Sequence, residues 1–81
     1  MADTLYTAPA AAALATTWRR LVSAGAAAVT PATIRSWAHR GHLKATGLDE
    51  NGHPLYARTD IARAERDTRA RALRLVGIGA D

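Results

Sequence analysis

The chain has 81 residues, a net charge of +4 and a pI near 10.7. That length suits one small domain with a modest core and excludes two domains. It contains no cysteine, so disulfides and thiolate metal sites are excluded. The basic excess suits a polyanionic partner. Every basic residue but Lys44 is arginine. Arginine forks match phosphates and guanine edges better than lysine does, although the codon usage of a GC-rich genome gives the same enrichment. Ala10 to Ala15 is apolar, but Asp3 stands where a secretion signal needs positive charge. No apolar stretch approaches a membrane span. A soluble, cytoplasmic protein with no membrane partner is the expectation.

Residues 1–7 read as a flexible tail. A helix is predicted from Ala8, with Pro9 tolerated in its first turn. Ala11, Leu14, Ala15, Trp18, Leu21 and Val22 form one apolar stripe at helical spacing, with Arg19 and Arg20 beside it. Gly25 is the expected stop. Thr30-Pro31 is a second helix start: threonine accepts an orphan N–H, and proline at the first helical position loses nothing. That helix is predicted over about 31–40, ending at Gly41. Ile34, Trp37 and Leu43 are its core anchors, and Trp18 is also read as core. Thr33, Ser36 and Arg40 face the other way, flanked by Arg35 and His39.

Residues 43–56 read as a β-hairpin around Asp49-Glu50-Asn51-Gly52, because Asn-Gly favours the tight turns of hairpins. Pro54 marks its strand as an edge strand, and Tyr56 is expected to pack under the hairpin. A last helix is predicted over about 60–75, with Thr59 as N-cap and Asp60 in its first turn. Ile61, Ala64, Thr68, Ala72 and Leu75 give it a thin apolar seam. Arg63/Asp67, Glu65/Arg69 and Asp67/Arg71 are oppositely charged at i,i+4 spacing. Residues 76–81 read as a second tail. The fold expected is mainly α with a small β-hairpin, in one domain over 8–75.

Charge is uneven along the chain. From Arg19 to Lys44 there are five basic residues and no acidic one. From Arg58 to Asp81 six basic residues face four acidic ones. The positive field therefore centres on the second helix. A short capped helix with a hydroxyl-and-guanidinium face fits across a major groove, where its first turns reach base edges. Its N-terminus can also offer N–H groups to a phosphate.

Thr30 to Leu43 read TPATIRSWAHRGHL, and after the hairpin turn PLYARTDI opens the last helix. This ordered combination, over about Val29 to Glu65, resembles the MerR-like and excisionase-like winged helix-turn-helix family. The resemblance implies three helices plus a wing, with Thr30 to Arg40 as the recognition helix and Lys44 to Tyr56 as the wing. It implies double-stranded DNA as partner, with Thr33, Arg35, Ser36 and Arg40 at contacting positions. It also implies self-association or cooperative assembly on DNA, in a transcriptional regulator or an excisionase-like recombination factor. Thr30, His39, Lys44, Thr46, His53 and Arg58 complete the candidate DNA-binding residues. Two departures stand out. The first helix is long and its link to Thr30 extended. The wing carries His53 and Pro54 where relatives often have arginine, with Asp49 and Glu50 at its turn.

No enzyme is expected: the chain lacks a cysteine nucleophile, a paired carboxylate in an apolar setting, a phosphate loop and HExxH. No metal is expected from His39, His42 and His53, because Gly41 breaks the helix between the first two. Neither a cofactor nor a small-molecule effector is expected. The alternative reading is a protein-interaction module, docking through the seam of the last helix.

Overall fold

A computed structural model describes residues 4–77, with side chains described as far as residue 70. The elements in chain order are β1 (Leu5–Tyr6), α1 (Ala8–Val22), α2 (Pro31–His39), β2 (Ala45–Leu48), β3 (Pro54–Ala57) and α3 (Arg58–Gly77). Three helices pack with a small antiparallel sheet of order β1-β3-β2. Ala11, Ala12, Ala15, Val29, Ile34, Trp37, Leu43, Tyr56, Ile61 and Ala64 form the core.

The predicted tail is in part a strand. Leu5 pairs with Ala57 and Tyr6 with Tyr56; residues 1–3 lie outside the described part. This added strand places β3 in the centre of the sheet and corrects the reading of Pro54 as an edge-strand residue. The two assignments coexist because β1 reaches only Tyr56 and Ala57. Pro54 occupies the first position of β3, beyond β1, where no neighbour asks for its missing N–H. Tyr56 is buried, as the packing reading expects.

Thr7 caps α1, its hydroxyl accepting from the Ala10 N–H at 3.3 Å. The helix ends at Val22, three residues before the predicted stop at Gly25, where Ser23 turns extended and its N–H reaches the Arg19 carbonyl at 2.9 Å. Its buried face is Ala11, Ala12, Ala15 and Arg19, not the whole predicted stripe. Leu21 and Val22 are exposed, Leu21 at 79%. The inward position in that last turn is taken by Arg19, one residue in phase from the stripe.

The connector between α1 and α2 folds back on α1. The Thr16 hydroxyl donates to the Ala12 carbonyl and accepts from the Val29 N–H, both at 2.8 Å. Arg20 Nε donates to the carbonyl of the buried Ala26 at 3.2 Å. The chain therefore overshoots Thr16 by six helical residues and then returns to it.

In α2 the Thr30 hydroxyl accepts from the Thr33 N–H at 3.2 Å, as the cap reading expects, and Pro31 opens the helix. Arg40 is the C-cap and Gly41 follows at φ 84°, a left-handed conformation that favours glycine. That turn sends the His42 N–H to the Trp37 carbonyl at 2.8 Å and brings Leu43 into the core. Burial of Ile34 and Trp37 contributes roughly 1.5–3 kcal/mol each.

The last helix is longer than predicted and starts at Arg58, not after a Thr59 cap. The Arg58 N–H donates to the Thr4 carbonyl at 3.2 Å, so the strand segment supplies an acceptor at this terminus. Val76 and Gly77 belong to α3, while residues 78–81 lie outside the described part. Ile61 and Ala64 are buried as the seam predicts; Ala72, Leu75 and the Asp67/Arg71 pair fall where side chains are not described. Arg63 lies nearest Asp60, at 3.9 Å, not Asp67. Glu65 does pair with Arg69, but inside the protein. No described helix is long and apolar enough to cross a membrane.

Replacing Thr16 with valine leaves the Val29 N–H without its acceptor while keeping the side chain's shape. The expected loss is about 1–3 kcal/mol of unfolding free energy, read by chemical denaturation. An unchanged midpoint contradicts the role assigned to this hydroxyl.

Candidate nucleic-acid interface

Helix α2 has two sides with different chemistry. Residues advance by about 100° each around a helix axis. With Ile34 and Trp37 inward, Ala32, Arg35 and His39 face outward and are exposed. Ser36 is half-buried beside them, and Thr33 and Arg40 lie on the flank next to Trp37. The structure thus brings Arg35, Ser36 and His39 onto one outer surface, with Thr33 and Arg40 along its border. Thr30 stands at the N-terminal end, its hydroxyl 3.0 Å from that of Thr33. Thr30 already holds the Thr33 N–H and Pro31 has none. The Ala32 N–H is therefore what the first turn has left for a phosphate, fewer donors than the sequence reading supposes.

The cations around α2 are not neutralised. Among the described residues Arg35, Arg40 and Lys44 make no side-chain hydrogen bond and no ion pair, and all three are exposed. On α3, in contrast, Arg63 and Arg69 each have a carboxylate on their own helix. The positive field inferred from the sequence is thus uncompensated where α2 meets solvent.

The hairpin turn is organised by Asp49. Its Oδ1 accepts from the N–H of Asn51 at 2.9 Å and of His53 at 2.8 Å. Asp49 and His53 also pair through their backbones, and Gly52, just before His53, adopts φ 80°. The His53 N–H, foremost among these contacts, holds the Asp49 carboxyl below its usual range. His53 Nδ1 lies 3.4 Å from Asp49 Oδ2, so its ring leans on the turn. Thr46 falls between the pairs Ala45–Tyr56 and Gly47–Leu55, where the register shifts; it is exposed and re-aimed by the bulge. An open cleft of about 390 Å³ runs between the N-terminus of α1, Arg35 and the turn, lined by Ala8, Pro9, Asp49, His53 and Pro54.

Arg58 is placed apart. It begins α3, where its guanidinium lies 5.7 Å over the Trp18 ring. It stands at the opposite end of β3 from His53, roughly 16 Å of extended chain away. Lys44 precedes β2 at that same end, next to the C-terminus of α2.

Sequence reasoning misses one constellation. Arg19 is 7% exposed and Glu65 fully buried. Arg19 Nε donates to Glu65 Oε2 at 3.1 Å, and its Nη2 donates to Thr68 Oγ1 at 3.0 Å and to the Glu65 carbonyl at 3.4 Å. Arg69 Nε donates to both Glu65 oxygens, and its Nη2 makes a further short contact with Oε1. Burial alone would raise the Glu65 carboxyl; hydrogen bonds from Arg69 and then Arg19 outweigh it and hold the group below its usual range. The signals were positional. Arg19 continues the buried spacing Ala11, Ala15, and Glu65 follows Ile61 by four.

Among the described residues no three histidine, aspartate or glutamate side chains gather into a metal-holding group. No protein-family model, curated protein or solved structure matches the chain.

Asp49→Ala removes the acceptor for two turn N–H groups, so amide exchange at Asn51 and His53 accelerates while α2 exchange is unchanged. Acid acts the same way. Because the folded carboxyl titrates low, its contribution is present above the ordinary aspartate range and is lost as pH falls through the depressed value. Exchange at both amides that ignores the substitution contradicts this reading of the turn.

Proposed function

We infer that this chain is a winged helix-turn-helix protein that acts by binding double-stranded DNA sequence-specifically, without chemistry of its own. One observation carries the reading. Helix α2 is fixed by its inner side alone, and its outer side presents Arg35, Ser36 and His39 to solvent with no internal partner for the arginine. A nine-residue helix is about 13 Å long, which suits the width of a major groove. Small side chains at Ala32 and Ser36 let the backbone approach base edges, and Arg35 reaches a guanine or a phosphate. The sequence resemblance to MerR-like and excisionase-like proteins supports the same assignment.

Arg40 and Lys44, at the far end of α2, suit phosphates beside the groove. The hairpin contributes less. Its tip carries Asp49 and Glu50, and His53 is engaged with Asp49. Thr46 and His53 remain candidates for backbone contact, and Arg58 for a phosphate on the α1–α3 side. Within this reading a small transcriptional regulator and an excisionase-like recombination factor are both accommodated.

A second reading, a protein-interaction module, is favoured by a different observation. Leu21 and Val22 are exposed at the end of α1, whereas the α3 seam invoked from the sequence is buried at Ile61 and Ala64.

Selection of bound duplexes from a random pool, followed by footprinting, tests the first reading, which expects one enriched motif. On that duplex Arg35→Ala weakens binding by about 1–3 kcal/mol if Arg35 reads a base. If Arg35 touches phosphate, all duplexes lose equally and the slope of log K against log salt falls by about 0.9. No change on either duplex removes Arg35 from the interface. An unenriched pool, with retention that vanishes near physiological salt, contradicts the DNA reading and favours the second.

A further inference from the structure

We propose that Arg19 is a positioning residue that sets the angle of α2, with Glu65 holding Arg19 in place. The proposal rests on the reading of α2 as the DNA-contacting helix.

Arg19 is the side chain through which all three helices meet. It belongs to α1. Its guanidinium lies 5.7 Å over the ring of Trp37, the inner anchor of α2, within the range of a cation–π contact. Its Nε and Nη2 are held by Glu65 and Thr68 of α3. Glu65 is gripped from the other side by Arg69. A leucine at position 19 would fill space without fixing orientation. A planar guanidinium with three hydrogen bonds to one helix, poised over a ring of another, fixes both.

The long first helix acquires a purpose in this arrangement. Thr16 is where the connector returns to α1, through the Val29 N–H. A shorter helix turning there would hold the start of α2 but would not include Arg19. Continuing the helix past Thr16 by one more turn carries the Arg19 guanidinium to the junction of Trp37 and Glu65. The ion-paired brace sets how α2 leans, and hence where Arg35, Ser36 and His39 meet a groove. Buried ion pairs add little stability over apolar replacements, and fixing one arrangement is what such pairs can supply instead.

The test uses the full chain and compares wild type with the Arg19→Met/Glu65→Leu double variant, which removes both buried charges together; Arg69 loses its carboxylate, but its side chain is 28% exposed and can turn to water. Affinity is measured for the pool-selected duplex and for a scrambled one. The double variant is expected to melt near wild type and to bind the scrambled duplex with unchanged affinity and salt slope. Its preference for the selected duplex falls about tenfold. A preserved preference in the folded double variant overturns the proposal and leaves Arg19 merely structural. Should that variant fail to fold, Arg19→Lys keeps the charge, loses the fork and is read in the same way. A DNA-free measurement separates this proposal from the functional reading beneath it. Amide exchange in α2, from Ile34 to His39, accelerates in the variant at unchanged melting temperature if the brace exists. If wild type selects no sequence but α2 exchange responds, the brace stands and the DNA reading falls. Unchanged exchange overturns the brace.

Discussion

The fold depends on how α2 is held by one side only. Ile34 is fully buried and Trp37 nearly so, three residues apart on a helix of nine. Such a short helix is not stable alone in water. It exists because these two side chains, with Leu43 just beyond the Gly41 turn, join one core with Ala11, Ala12 and Ala15 of α1, the element α2 chiefly packs on. Opposite them Ala32, Arg35 and His39 are left to solvent, with Ser36 half-buried beside them. The proposed function is a consequence of that one-sided attachment, since a helix packed on both sides has no face to offer a groove.

What surrounds α2 keeps this face in place and leaves it positive. On one side, Thr16 and Arg20 tie down the connector that leads into Thr30. Behind it, Arg19 links the Trp37 ring to α3. The carboxylates of the described core region are used internally: Glu65 holds two arginines, and Asp49 closes the hairpin turn. None is spent on Arg35, Arg40 or Lys44. The structural ion pairs thus lie in the α1–α3 contact, and the cations of α2 and its end keep their charge open to solvent.

Much of this was legible in the residues themselves. Thr30-Pro31 and Gly41 bound α2 because capping and positive φ are local properties. Asn51-Gly52 marked the hairpin for the same reason, and Ile34, Trp37 and Leu43 declared their burial by spacing and size. The outer side of α2 was read only in part: Thr33 and Arg40, expected to face away from the core, lie on its border, and Arg35 and His39, expected as flanks, take the outermost places. The failures were nonlocal. Leu5-Tyr6 carries no strand signal of its own and becomes a strand only because β3 offers a free edge. The exposure of Leu21 and Val22 depends on where α3 crosses α1, which no local pattern encodes. Arg19 and Glu65 look like solvated charges until the chain brings positions 46 residues apart together.

The most direct measurement is amide chemical-shift mapping by NMR as a duplex carrying the enriched motif is added to the intact chain. The account predicts that the largest shifts fall on Ala32, Arg35, Ser36 and His39, with smaller ones at Arg40 and Lys44. Shifts concentrated instead at Leu21, Val22 and the connector, with α2 unmoved, would contradict it.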